Sequence, residues 1–201
     1  MSAVLKGKPA PLLTWEQYEQ AELKSEIRHE FANGRVFAMA GGTRNHNRIA
    51  LNTATSLQQQ LRGKKCEAFM ADVKLRIDLH REHFGYYPDV MVVCDPADRS
   101  RLHVTRPAVV FEVLSKSTER IDRREKLLAY QAVESLQVYV LIEQTHPQAT
   151  IYRRSSRWQS EVVNGLDAVI DLPEIDVQMP LSVIYERVDW QDEEPDGNDA
   201  A

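Results

Sequence analysis

The chain has 201 residues, 43% of them hydrophobic, and a mean hydropathy of −0.44. This size fits one soluble domain with a real core, and no apolar run is long enough for a signal sequence or a membrane span. We therefore expect a cytoplasmic protein with no membrane partner. The formal charge of −5 does not exclude a nucleic-acid partner, because six acidic residues lie in a terminal stretch without Lys or Arg. They are Asp189, Asp192, Glu193, Glu194, Asp196 and Asp199.

The composition divides the chain into three parts. Residues 1–12 form a short extension that contains Pro9 and Pro11, and residues 13–188 form one domain. Residues 189–201 form an acidic tail that is too polar to bury a core, so we predict that it is disordered.

The first elements of the domain are a short helix and a hairpin. The segment from Thr14 to Gln17 has the form of a capping box and predicts a helix that carries Trp15 and Tyr18 inward. The Asn33-Gly34 pair between apolar segments predicts a tight turn. Glu30 stands just before that turn, and on this stretch alone it is interpreted as a surface acid.

A loop at residues 41–46 precedes a second helix. Its apolar positions share one face and are Ile49, Ala50, Thr53, Ala54, Leu57 and Leu61. His46 lies in the first turn, where a histidine is more often a surface or capping residue than a catalyst. Near a site, however, it would be placed to contact a phosphate or a water molecule.

Residues 66–79 are predicted to form one strand, because apolar and polar residues alternate within it. Residues 80–86 are expected to turn the chain back into the strand that carries Asp89. Cys66 and Cys94 lie in apolar runs without zinc-type spacing. We predict that both behave as small buried hydrophobes, with neither a disulfide nor a metal.

Two apolar runs, residues 87–94 and 108–115, indicate strands covered on both faces. Each contains one acid, Asp89 or Glu112. A lone buried carboxylate is costly, whereas two on neighbouring strands are both satisfied by a divalent cation. The alternative is that each acid lies in water at a strand end or pairs with an arginine such as Arg106 or Arg120.

The second run leads into a segment with helical spacing. Asp122, Lys126 and Tyr130 fall four residues apart and share a face beside a predicted buried stripe, so Lys126 is placed to reach the acids. The stripe is formed by Ile121, Leu128 and Ala132. Taken alone, Lys126 is an ordinary surface partner of Asp122.

After this helix, residues 137–143 predict another buried strand, followed by a small antiparallel extension and a short helix that begins near Pro180. The order of elements predicts an α/β domain with a mixed central sheet flanked by helices.

These residues resemble the PD-(D/E)xK nuclease superfamily, and more closely a family of restriction-endonuclease-like proteins long catalogued as a domain of unknown function. The matching motifs are Glu30 before Asn33-Gly34, Asn45-His46, Pro88-Asp89-Val90, Glu112-Val113-Leu114-Ser115, and Asp122, Lys126 and Tyr130. The position two after Glu112 is Leu114 and not the lysine of the superfamily motif. In the resembled family this lysine lies instead on the following helix, which indicates Lys126 in this sequence.

The resemblance implies a restriction-endonuclease-like fold and a DNA endonuclease that uses Mg²⁺ or Mn²⁺. Asp89, Glu112 and the carbonyl of Val113 would hold the ion. Lys126 would stabilise negative charge, and Glu30 would bind a water or a second ion.

The resemblance also places His46 near the site and implies a homodimer. Arg120, Arg123 and Arg124 lie shortly before Lys126 in the sequence and are candidates for binding DNA. The alternative function is a nuclease-fold module that binds nucleic acid or assembles with partners but cleaves weakly or not at all. The absence of a lysine after Glu112 favours this alternative.

Overall fold

The computed structural model describes residues 12–39, 41–80, 82–116 and 118–190. Its helical elements are α1 (Trp15–Glu22), α2 (Arg44–Gln60), α3 (Glu119–Ile121), a π-helical turn (Asp122–Lys126), α4 (Leu127–Gln131) and α5 (Leu181–Ile184). Its strands are β1 (His29–Ala32), β2 (Arg35–Ala38), β3 (Glu67–Met70), β4 (Lys74–Leu79), β5 (Glu82–Tyr86), β6 (Val90–Val93), β7 (His103–Val104), β8 (Pro107–Val113), β9 (Val138–Ile142), β10 (Gln148–Arg153), β11 (Ser160–Asn164), β12 (Val169–Leu172) and β13 (Val177–Pro180).

The strands form two mixed sheets and a separate hairpin of β12 and β13. The five-stranded sheet has the order β2-β1-β5-β4-β7, and the six-stranded sheet has the order β11-β10-β9-β8-β6-β3. Strand β4 is parallel to β7, and β8 is parallel to β9, whereas the other pairs are antiparallel. The predicted α/β class with a mixed sheet is confirmed, although the strands are divided between two sheets.

The prediction of one strand over residues 66–79 is wrong. Ala71 adopts a left-handed backbone with φ 54°, which ends strand β3 and sends the chain into the other sheet. Strand β3 therefore pairs with β6, whereas β4 forms a hairpin with β5. The strand that returns along β4 is β5, and the strand that follows Asp89 lies in the other sheet.

The six-stranded sheet is covered on both faces, which explains its continuous apolar runs. One face packs against α2, α5 and the β12–β13 hairpin, with Ile49 and Leu57 fully buried. The other face packs against the five-stranded sheet and the segment that contains Ala129 and Tyr130. The predicted apolar face of α2 is thus confirmed.

Two features that the local sequence predicted for the start of the domain are present in the structure. Thr14 and Gln17 form the predicted capping box, and Trp15 and Tyr18 are buried. The Asn33-Gly34 turn is also confirmed. Both of its residues have positive φ, 46° and 90°, a conformation that asparagine and glycine tolerate.

The prediction of two free cysteines is wrong, because Cys66 and Cys94 form a disulfide. Glu67 pairs with Val93 across β3 and β6, so the preceding and following cysteines face each other with Cα atoms 4.0 Å apart. The sequence did not show this pairing, since it depends on two strands whose cysteines are 28 residues apart.

At the end of the described chain, Asp189 is held by Asn45 through hydrogen bonds of 2.7 and 3.2 Å. The predictions for residues 1–11 and 191–201 lie outside the described residues. Among the helices that the structure describes, none combines the length and the apolar character needed to cross a membrane.

Candidate active site

Glu112 lies on β8, and Asp89 directly precedes β6, the antiparallel neighbour of β8. Val90 on β6 pairs with Phe111 on β8, so the next register position places Asp89 beside Glu112. Oδ2 of Asp89 accepts a hydrogen bond of 2.7 Å from the Val113 amide. The pairing of the strands thus brings the three predicted metal ligands together.

Glu112 is the more buried of the two acids, with 4% of its surface exposed. Its Oε1 accepts hydrogen bonds from Lys126 Nζ at 3.0 Å and from the Tyr130 hydroxyl at 2.9 Å. The alternative partner Arg106 pairs instead with Asp95, at 2.8 Å. Glu112 is therefore a buried acid with a lysine as its partner.

Lys126 lies at the centre of the acidic groups and is 4% exposed. Besides Glu112, its Nζ lies 3.0 Å from Oε1 of Glu30 and 3.2 Å from Oδ1 of Asp122. Its ammonium also lies 5.5 Å from the ring centroid of Tyr86. The alternative of a surface ion pair with Asp122 is wrong, because both partners are buried.

The helix that carries Lys126 turns a different face to the protein than its apolar residues predict. Leu128 is 69% exposed and Ala132 is also exposed, whereas Asp122, Lys126 and Tyr130 are buried. The predicted stripe is wrong because ion pairs to β1 and β8 compensate the buried polar groups. The π-helical turn over Asp122–Lys126 widens the backbone at this point, a feature frequent at functional sites.

The buried cluster has more negative than positive groups, and this excess sets its proton affinities. Burial raises the pKa of Glu112 well above its usual value, although the Lys126 ammonium opposes the shift. For Lys126, burial alone would lower the pKa. The carboxylates of Glu112, Glu30 and Asp122 outweigh it and raise the Lys126 pKa well above its usual value. Lys126 therefore remains charged at neutral pH, and Glu112 retains a proton more readily than an exposed glutamate.

His46 reaches the same cluster from the first turn of α2. The Thr43 hydroxyl caps this helix by accepting from the His46 amide at 3.1 Å. Nε2 of His46 then lies 3.3 Å from Oδ2 of Asp89. Burial would lower the pKa of His46, but the contact with Asp89 and the backbone of Val113 raises it. The imidazole is thus beside an acid on the site and is not a free surface group.

The donor chemistry of the site fits a hard divalent cation. The groups that line it are carboxylates and a backbone carbonyl, the ligands that Mg²⁺ and Mn²⁺ prefer. Oδ1 of Asp122 is buried, and its contact among the described residues is the ion pair with the Lys126 ammonium 3.2 Å away, not a hydrogen bond. Among the residues that the structure describes, no group of three or more His, Cys, Asp or Glu side chains is already arranged to hold a metal ion. The lysine ammonium supplies positive charge among the acids.

The three predicted DNA-binding arginines differ in their surroundings. Arg123 pairs with Glu119 at 2.8 Å and also with Glu143, so its charge is already engaged. Arg120 and Arg124 are exposed on the same helical segment.

A supporting carboxylate, Glu22, escaped the sequence reasoning. It is 5% exposed, and its Oε1 accepts from the His29 amide at 2.9 Å and the Tyr87 hydroxyl at 3.0 Å. His29 directly precedes Glu30, and Tyr87 comes two residues before Asp89, so Glu22 ties together the two segments that carry these acids. A glutamate at the end of a short helix gives no sequence signal for this role.

Comparison with known proteins assigns the chain to a family. A family model described as "Uma2: Putative restriction endonuclease" matches residues 15–183. The chain belongs to the Uma2 family. This match spans every residue of the site, from Glu30 to Tyr130, and confirms the restriction-endonuclease-like assignment made from the sequence motifs.

Relatives and a solved structure agree with the Uma2 assignment. Two uncharacterized proteins of Synechocystis sp. strain PCC 6803 are 34% and 32% identical, over 92% and 80% of this chain and 97% and 92% of their own lengths. A crystal structure described as "a putative nuclease belonging to DUF820" from Anabaena variabilis ATCC 29413 matches with a TM-score of 0.69 at 15% identity. The match covers 86% of this chain and 97% of that chain, and confirms the fold.

Proposed function

We propose that this Uma2 protein is a Mg²⁺- or Mn²⁺-dependent endonuclease that hydrolyses phosphodiester bonds in DNA. The observation that carries the proposal is the position of Lys126. Although position 114 is a leucine, the Lys126 ammonium reaches Glu112 at 3.0 Å from the following helix. This contact supports the proposal that Lys126, on the following helical segment, takes the role of the lysine that the superfamily motif places two residues after the glutamate.

Asp89, Glu112 and the carbonyl of Val113 would hold the cation. When bound, it supplies positive charge that activates water and offsets the negative charge growing on the phosphate. Lys126 stabilises the same charge from the buried side, where the low dielectric strengthens its effect. Glu30 orients water through its carboxylate, and His46 contacts the phosphate or a water molecule beside Asp89.

Two exposed arginines lie near the cluster on the segment that carries Lys126. Exposed Arg120 and Arg124 contact the DNA backbone outside the cluster. A homodimer and a cytoplasmic location stay predictions from the sequence and its family resemblance.

Cleavage of a supercoiled plasmid in Mn²⁺ tests the proposal. The parent protein should nick or linearise the plasmid, and EDTA should stop it. Asp89→Asn keeps the shape of the side chain but removes the charge that a hard cation requires, so it should abolish cleavage. Asp167→Asn changes an exposed acid in the turn before β12 and should leave the rate unchanged.

The same experiment separates the two functions that the sequence left open. A parent protein that shifts the plasmid in a binding gel but never cuts it would overturn the endonuclease and favour a nucleic-acid-binding module. Equal cleavage by the parent and Asp89→Asn would show that Asp89 is not a ligand.

A further inference from the structure

Phe37 is an exposed aromatic residue on the edge strand β2. All four residues of this strand are exposed, and 49% of the Phe37 surface is accessible. Strand β2 ends the five-stranded sheet, since among the described strands it pairs with β1 only. A large apolar ring at such an edge has a hydrophobic surface available to a ligand.

The strand register places this ring on the same face as the catalytic cluster. Phe37 is directly opposite Glu30 in the antiparallel β1–β2 pair. Directly opposed side chains project from the same face, with Cβ atoms about 4.5 to 5.5 Å apart. Glu30 Oε1 lies 3.0 Å from Lys126 Nζ. Phe37 is therefore next to Glu30, which is itself a member of the acidic cluster.

The neighbouring residue Val36 provides an internal comparison. It is opposite Phe31, whose ring stacks on Tyr18 beneath helix α1. Val36 therefore projects from the other face of the sheet, although it is 38% exposed. The two large exposed apolar residues of β2, Val36 and Phe37, belong to different surfaces, and of these two Phe37 adjoins the acids.

A cation lies on the same face as Phe37. Arg35 is exposed and occupies the position two residues before Phe37, which returns its side chain to the face of the site. An aromatic ring next to an arginine is the arrangement that binds single strands, because a base stacks on the ring while the guanidinium contacts the phosphate. Bases inside a duplex are stacked on one another and do not offer a free face.

We propose that Phe37 stacks on an unpaired base next to the scissile phosphate and that Arg35 contacts the backbone. This inference rests on the proposed function and makes it more specific: the substrate contains single-stranded nucleotides at the site, as in an overhang, a flap or an open strand. The stacking contact selects unpaired over paired nucleic acid.

The test is fluorescence anisotropy in EDTA with a labelled single strand of about 16 nucleotides and the blunt duplex of the same sequence. The parent should bind the single strand more tightly. Phe37→Ala should weaken single-strand binding between about 5-fold and 100-fold, as expected for one lost stacking contact. Phe37→Trp should keep the affinity, and its added fluorescence should be quenched by the oligonucleotide.

Val36→Ala is the matched control, because it removes a similarly exposed apolar side chain from the other face of the same strand; its affinity should match the parent. The inference is overturned if the parent prefers the duplex, or if Phe37→Ala and Val36→Ala bind alike. It is also overturned if both variants turn a dimer into a monomer, since that would assign the strand edge to a second copy.

Two outcomes separate the failure of this inference from that of the proposed function. A parent that cleaves plasmid DNA while Phe37→Ala binds the single strand normally refutes only the stacking contact. A parent that neither binds nor cleaves any of these nucleic acids refutes both.

Discussion

Two buried lysines lie on opposite faces of the five-stranded sheet and have contrasting neighbours. Lys126 has three carboxylate oxygens within 3.2 Å of its ammonium. Lys74 on β4 is 5% exposed, and its ammonium lies 4.5 Å from the ring centroid of Tyr18. The rings of Trp15 and Tyr87 lie 5.4 and 5.8 Å from it.

The proton affinities of the two lysines differ accordingly. The acids around Lys126 raise its pKa, whereas burial lowers the pKa of Lys74 even though Glu22 and Glu19 oppose that shift. Aromatic rings attract a cation, but less strongly than carboxylates at contact distance do.

The contrast shows which buried polar group indicates function. The cluster around Lys74 is built from rings and a carboxylate that hydrogen-bonds the backbone, so it holds α1 on the sheet. The cluster around Lys126 contains Glu30, Glu112 and Asp122, with one lysine to balance them. A surplus of buried negative charge is costly unless a cation arrives, which points to a ligand site.

The largest expected effect is on catalysis. Lys126→Met should lower cleavage of a supercoiled plasmid in Mn²⁺ by about 100-fold or more, because it removes a buried positive charge that stabilises the negative charge developing on the phosphate. Lys74→Met, the matched change on the other face, should keep most of the activity. Equal rates for Lys126→Met and the parent, at matched folding, would remove the distinction between the two clusters.

Breaking the disulfide should affect stability without affecting either lysine. Cys66→Ala should lower the free energy of unfolding by about 3 to 4 kcal/mol, since the bond closes a loop of 28 residues. Urea unfolding of the parent and the variant measures this loss, and dithiothreitol should give the same loss in the parent. Cleavage below the unfolding transition should not change. A large loss of cleavage in the folded variant would show that the β3–β6 link positions Asp89.

A smaller effect is expected on the stability of the protein at alkaline pH, where the two lysines change the free energy of unfolding in opposite directions. The folded pKa of Lys126 lies above its unfolded value, so its stabilisation is complete below about pH 10.4 and is lost as the pH rises through the folded pKa. The folded pKa of Lys74 lies below its unfolded value, so stability rises with pH up to about 10.4.

Urea unfolding between about pH 7 and pH 11 checks these signs. Lys74→Met should remove the rise in stability with pH, whereas Lys126→Met should lie furthest below the parent at neutral pH. The same pH dependence in both variants would contradict the contrast.

Local and periodic signals predicted much of this structure. The capping box at Thr14, the Asn33-Gly34 turn and the four-residue spacing of Asp122, Lys126 and Tyr130 depend only on nearby residues. The acid in each apolar run likewise indicated a shared site, and the structure places Glu112 beside Lys126 and Asp89 beside His46, whereas the divalent cation stays a prediction.

Features that depend on long-range pairing were not predictable in this way. Leu128 is exposed because the helix buries ion pairs in place of its apolar stripe, and no periodicity of apolar residues reveals that choice. The disulfide and the role of Glu22 require knowing which strands are neighbours. The division of residues 66–79 between two sheets depends on a single left-handed residue, Ala71, a type that rarely adopts this conformation.

Calorimetric titration with Mn²⁺ tests most directly whether the surplus of negative charge around Lys126 is a cation site. The parent should bind the ion, Asp89→Asn should lose that binding while it unfolds at the same temperature, and Glu19→Gln in the Lys74 cluster should retain it. A parent that takes up no Mn²⁺, or an Asp89→Asn protein that binds it as tightly as the parent, would contradict the account.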